Sequence, residues 1–307
     1  MLAAHGTFHH VYDFVEFELP FNTKLMLPEI AGVGVTKFMV LQLVAALLVF
    51  LIFRGLAQRV QGGKVVNGWF WNFWEMLAVY VRDEIVRPVI GDPHAHHDES
   101  HAFEEVTLGH EHPLKEAAGM DVHAQVTQAH GSHPADKYAP FVWSCFFYIL
   151  FCNLLGAIPW LGSATGSISV TLALALVAFV ATFFYGAQMH GPVGFWTHMV
   201  PAVDAPAPIK VLLVPMIFVI EVVGLFIKHG VLAVRLFANM MGGHTVLGVI
   251  LAFIAQTASH PSWGIVAPAS LVGQIGVGLL ELLVAFIQAY VFAFLSTIFI
   301  AMSLHEH

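Results

Sequence analysis

The chain has 307 residues, 58% of them apolar or aromatic and only 10% Asp, Glu, Lys or Arg, with a net charge of −8. About a quarter of a soluble domain's residues are charged, because water must cover its surface, so a soluble globular domain is excluded. The acidic balance argues against nucleic acid as a partner.

Residues 1–35 read as an outside segment with Lys24 as their only Lys or Arg, and no signal or transit peptide is recognised. A first transmembrane helix follows over residues 36–56, where Phe38–Phe53 holds one polar side chain, Gln42. Arg54, Arg59 and Lys64 come directly after that apolar run while only Lys24 and Lys37 precede it, which places the N-terminus outside and the next loop in the cytoplasm. Residues 67–90 open on Trp69-Phe70-Trp71-Asn72-Phe73-Trp74, with Glu75, Arg82, Asp83 and Glu84 interrupting the apolar pieces. Tryptophan favours the headgroup level, so this stretch reads as an amphipathic helix lying on the cytoplasmic face and stopped by Pro88. Residues 92–137 form an insertion rich in His, Asp and Glu, holding nine of the 19 histidines. Imidazole binds zinc or nickel, yet no zinc-site spacing repeats here, and the insertion reads as solvated and dispensable for the core activity.

The membrane core occupies residues 138–307. Its apolar runs are Phe141–Leu161, Ile168–Gly186, Val211–Ala255 and Ile265–Met302. Backbone groups in lipid must pair internally, and the runs are too continuous to alternate as barrel strands do. The fold class is therefore all-α: a polytopic membrane protein with five transmembrane helices and one interfacial helix, its loop from Gln188 to Lys210 and its C-terminus cytoplasmic. Cys145 and Cys152 lie seven apart on one helix, about 10.5 Å along the axis, too far for a disulfide within that helix. The third run, 45 residues long, would measure roughly 67 Å as one helix against a hydrocarbon core of about 30 Å. It must break, at Pro215 or Gly230, or lie strongly tilted; the last run presents the same excess.

Arg235 sits inside that third run, between Val231-Leu232-Ala233-Val234 and Leu236-Phe237-Ala238. An arginine at a helix centre costs about 2.5–3.5 kcal/mol, against roughly 0.3–0.6 gained per strong apolar residue. Such residues mark function by default. Glu221 precedes Arg235 by 14 residues, near four turns, and His244 follows it by nine. On the last helix Gln288 follows Glu281 by seven. With the two helices antiparallel and Gln288 level with Arg235, Glu281 and His244 lie about 10 and 13 Å toward the outer side. Glu and His exchange protons near neutral pH when their surroundings shift them. Arginine cannot lose its proton, so it blocks a direct leak and favours an ionised carboxylate beside it.

The segment Arg235-Leu236-Phe237-Ala238-Asn239-Met240-Met241-Gly242-Gly243-His244 resembles the signature of subunit a of F-type ATP synthases. Asn153-Leu154-Leu155-Gly156-Ala157-Ile158-Pro159 resembles that family's earlier helix motif, and Glu281 with Gln288-Ala289-Tyr290-Val291-Phe292 its last-helix motif. The resemblance runs from about residue 138 to the end and implies a proton-conducting stator beside a ring of c subunits, held by the subunit b stalk among the other ATP synthase subunits. By resemblance Arg235 is the stator arginine, with Asn239 and Gln288 its polar neighbours. His244 and Glu281 would line the outer half-channel, and Glu221 the cytoplasmic one. Ser169 stands where the family carries Asn or Asp, and the His-rich insertion departs from the family pattern. No phosphate-binding Gly-rich loop appears, so ATP chemistry belongs to other subunits, and no cofactor is expected. A prokaryotic inner membrane is the expected location. The rival is a divalent-metal transporter, prompted by the His-rich loop, but an intramembrane arginine repels a dication. A plain membrane scaffold gives Arg235 no purpose.

Overall fold

A computed structural model describes residues 16–19, 23–26, 29–30, 33–60, 67–91, 133–158, 162–198 and 207–304. Two short antiparallel ribbons come first. β1 (Glu16–Leu19) pairs with β2 (Thr23–Met26), Glu16 opposite Met26, and β3 (Glu29–Ile30) pairs with β4 (Val33–Gly34). These ribbons, which the sequence did not announce, precede a body built of helices: α1 (Lys37–Val60), α2 (Trp69–Tyr80), α3 (Arg87–Ile90), α4 (Ala139–Gly156), α5 (Ile168–His198), α6 (Ala207–Thr257) and α7 (Trp263–Leu304). Five of these, α1 and α4 to α7, are long and apolar enough to cross a membrane.

The core lies where α4, α7 and the α2–α3 stretch meet. Val142, Phe146, Phe147, Ile149 and Leu150 of α4 are buried together with Ala289, Phe292, Ala293 and Ile300 of α7 and Val81, Ile85 and Val86. Lipid tails are as apolar as leucine, so association inside a bilayer depends on close packing rather than on escape from water. Ala285, Ala289 and Ala293, one turn apart on α7 and all buried, supply the small surface that lets neighbouring backbones approach.

The aromatic stretch packs along α4 in the opposite direction. The Trp74 ring stacks on Phe151 with centroids 5.3 Å apart and tilts against Phe147 at 5.8 Å. The Trp143 indole donates to the Ala78 carbonyl at 2.8 Å. Arg87 donates two bonds of 2.9 Å to the Asp136 carboxylate, and its guanidinium holds that carboxyl below the usual carboxylate range. On the α1 side the Arg59 guanidinium sits 3.9 Å from the Trp71 ring centre, and a Cβ at Gly55 would overlap that ring. The opposite face, with Trp69, Phe70, Phe73, Met76 and Tyr80, is exposed and apolar.

Two expectations about breaks need correcting, and an alternative left open is decided. Pro88 does not stop the helix: Val81–Val86 winds into a π-helical turn and the chain continues helical through Ile90. The wider turn accommodates a residue that has no N–H to give to the carbonyl four positions back. The expected loop after Gly186 is helical to His198, bent at Gly191, whose φ of 78° only glycine adopts without strain, with Pro192 following. Neither Pro215 nor Gly230 breaks α6, which runs 51 residues without interruption. That is about 76 Å of helix, so it cannot stand upright across a 30 Å core.

Candidate functional site on the two long helices

α6 and α7 run antiparallel, and their contacts give the register directly. The Asn239 amide donates to Gln288 Oε1 at 2.6 Å, and His244 Nδ1 lies 4.0 Å from Glu281 Oε1. Imidazole and carboxylate are 17% and 14% exposed, so the pair is mostly withdrawn from solvent yet reachable. The acid and imidazole do meet, as counting along antiparallel helices anticipates. The level of Gln288 is corrected by about one turn: it faces Asn239 rather than Arg235. An amide this short reaches straight across to its neighbour, whereas the long guanidinium is free to turn outward.

Gly243 makes the meeting possible. A Cβ there would overlap the Glu281 carboxylate, with Cδ and Cγ at 2.8 and 2.9 Å. The acid occupies the volume a side chain at 243 would take. Gly242, by contrast, faces open space.

Arg235 is exposed on α6, and Asn239, one turn on, is exposed beside it. Among the described residues Arg235 has no ion-pair partner. Glu221 is half-buried on the same helix, apart from the His244–Glu281 pair. Midway between Glu221 and Arg235, seven residues from each, lies Lys228, half-buried, which the sequence reading passed over. Seven residues are 20° short of two full turns, so all three form one slowly drifting column. The charge in an apolar run was the signal available. His229 next to it is buried, its Nδ1 2.9 Å from the Leu225 carbonyl and its ring against Phe179 and Phe299. Ser169 is exposed in the first turn of α5.

The arrangement places an unpaired cation on an open helix face, an amide pair beside it and an acid–imidazole pair further along. Among the described residues no three His, Cys, Asp or Glu side chains converge to hold a metal. Both cysteines are free, Cys152 buried and Cys145 half-buried. Residues 92–132, most of the His-rich insertion, lie outside the described residues.

A family profile described as ATP synthase A chain matches residues 114–301. The chain belongs to the ATP synthase subunit a family. Among its relatives, ATP synthase subunit a of Myxococcus xanthus is 34% identical, over 97% of this chain and 88% of that one. The subunit of Chloroherpeton thalassium is 31% identical, over 97% and 76%, and that of Methylobacterium sp. 38%, over 62% and 74%. ATP synthase subunit a is a non-catalytic, multi-pass subunit of the membrane sector, and its partners are other ATP synthase subunits. The match begins at residue 114, inside the His-rich tract, so the second half of that tract belongs to the matched region. This membership removes the metal-transporter reading.

Proposed function

We propose that this subunit conducts protons through two aqueous half-channels that load and unload carboxylates on a ring of c subunits, so that proton flow turns the ring. The observation that carries the proposal is Arg235: a permanent charge on an open apolar helix face, without an ion-pair partner among the described residues. A charge so placed calls for an anionic group from outside the chain. A ring carboxylate arriving opposite Arg235 is held in its ionised form, because a neighbouring cation favours the charged state. It therefore gives up its proton before passing and takes one after.

His244 and Glu281 exchange protons on the outer side, and Glu221 does so on the cytoplasmic side. Asn239 and Gln288 hold their amides beside the arginine and cannot titrate, so they orient without leaking. In this reading the N-terminus lies outside and the C-terminus in the cytoplasm of a prokaryotic inner membrane, and the subunit b stalk holds the chain against the turning ring. Residues 1–35, 36–56, 92–137 and 138–307 serve respectively as outside segment, first span, insertion and conducting core, and residues 67–90 pack along the first helix of that core.

The test is ATP-driven proton pumping in inverted vesicles containing the assembled complex. Arg235→Ala should abolish pumping, and Arg235→Lys should not restore it, since a compact ammonium lacks the planar fork and can lose its proton. Pumping retained in Arg235→Ala, at equal ring content, refutes the proposal.

A further inference from the structure

A buried hydrogen-bond chain ties the connection between α4 and α5 to the middle of α7. Gly162, with φ of 74°, turns the backbone so that Ser163 closes against Gly156, where an added Cβ would press on Ser163 Oγ and Cβ at 2.7 and 2.8 Å. A single 3-10 turn, Ala164–Gly166, then presents Thr165 to α4. Thr165 Oγ1 donates to Asn153 Oδ1 at 2.9 Å, and Ser163 Oγ lies 3.0 Å from Thr165 Oγ1. Asn153 Nδ2 donates to the Ala285 carbonyl at 3.3 Å. Thr165 spends its one proton on Asn153, so Ser163 must be the donor to Thr165. All donors therefore point the same way, from the connection toward α7.

Ser163, Thr165 and Asn153 are exposed by 2%, 0% and 0%. Buried polar chains of this kind are favourable only when complete, because an orphaned member has no water to turn to. Among the described residues the Asn153 bond is the one hydrogen bond joining α4 to α7. The surrounding contacts, such as Phe146 on Phe286 with centroids 5.8 Å apart, are apolar and less directional. Ala285 lies one turn after Glu281 and three residues before Gln288. A grip on its carbonyl fixes the height and rotation of α7 at the place where the acid and the amide meet α6.

We propose that Ser163, Thr165 and Asn153 are positioning residues for proton transfer, holding α7 so that Glu281 meets His244 and Gln288 meets Asn239. The inference rests on the proton-handling role proposed for those four partners. Its test separates geometry from transport. In the assembled complex, disulfide formation between Asn239→Cys and Gln288→Cys reports the α6–α7 register whether or not protons move. Adding Thr165→Val should slow that cross-link about five-fold or more, while Thr165→Ser, which keeps the hydroxyl, should stay close to the parent. In the chain without the cysteine pair, Thr165→Val should shift the outer-side pH profile of pumping by about half a unit or more, and Thr165→Ser should not.

An unchanged cross-linking rate in Thr165→Val overturns the proposal, and so does equal slowing in Thr165→Ser. A slowed cross-link with an unmoved pH profile also overturns it, since the network would then be structural alone. If Thr165→Val does not assemble, Ser163→Ala, which removes only the outer donor, carries the same two readouts. Pumping retained in Arg235→Ala sinks the transport reading; unchanged cross-linking with pumping lost in Arg235→Ala sinks the positioning claim alone.

Discussion

Substituting Gly243 by Ala adds a single carbon where the Glu281 side chain already lies. That carbon would overlap the carboxylate and sit 2.8 and 2.9 Å from Cδ and Cγ, against an ordinary van der Waals approach of 3.4 Å or more. The whole end of the side chain must move, not only its flexible tip, by something near 1 Å. Overpacking of this kind costs about 1–3 kcal/mol in a well-packed site. The larger consequence is for the 4.0 Å approach of Glu281 to His244. A displacement of about 1 Å in a reacting pair can cost about a hundredfold in rate. ATP-driven proton pumping, normalised to the ring protein that co-purifies, should fall ten- to a hundred-fold in Gly243→Ala while assembly is kept. Adding Glu281→Asp, which shortens the acid by one methylene, should recover part of the rate by clearing the new carbon. Full pumping in Gly243→Ala would show that the acid–imidazole contact carries no transport and refute the reasoning.

Gln288→Leu removes the acceptor of the 2.6 Å bond from Asn239; pumping should drop about ten-fold or more with little change in the amount of assembled complex, since Asn239 lies exposed and is not left as a buried orphan. Asp136→Asn breaks the two-bond contact with Arg87; both groups are 27% exposed, so the loss in thermal stability in detergent at pH 7 should be about 1 kcal/mol or less. The Arg87 guanidinium depresses the Asp136 carboxyl, so the pair's contribution is complete above the ordinary carboxylate value of about 3.9 and disappears as pH falls through the lowered one. The gap between parent and Asp136→Asn should therefore close in acid, and a gap that grows there would contradict the assignment. Deleting residues 98–126 should leave pumping intact; its loss in an assembled complex would give the His-rich tract a part in transport.

The spans and the arginine were legible because each follows from a cost. Unbroken apolar runs have only one solvent that suits them, and a charge in such a run needs a reason to be there. The meeting of His244 with Glu281 could also be read, since antiparallel helices of known rise bring fixed positions to similar depth. Register was readable only to within a turn: rise per residue says nothing of which side chain is short enough to reach across, and Asn239, not Arg235, takes Gln288. Pro88 and Gly186 misled for a different reason. Local rules describe what a residue disfavours, while the π-helical turn before Pro88 and the bend at Gly191 are ways the backbone accommodates it. The Ser163–Thr165–Asn153 chain was hidden altogether, because three segments far apart in sequence create it and none is unusual alone.

The continuity of α6 connects these points. Glu221, Lys228 and Arg235 share a face only while the helix between them stays regular, and a break at Gly230 would have turned Glu221 and Lys228 away from the arginine. Along the axis Glu221 is about 21 Å from Arg235. Were α6 upright, that distance would carry the acid from mid-bilayer beyond the edge of a core whose half-thickness is about 15 Å. Under the proposed mechanism a tilted helix would shorten the same separation in depth and spread it sideways, so that acid, lysine and arginine all lie within the apolar layer at different positions around the ring. In that reading the unbroken helix converts sequence spacing into lateral spacing. Under the same mechanism, a proton released on one side of Arg235 and one taken up on the other would then not have to cross at the same place.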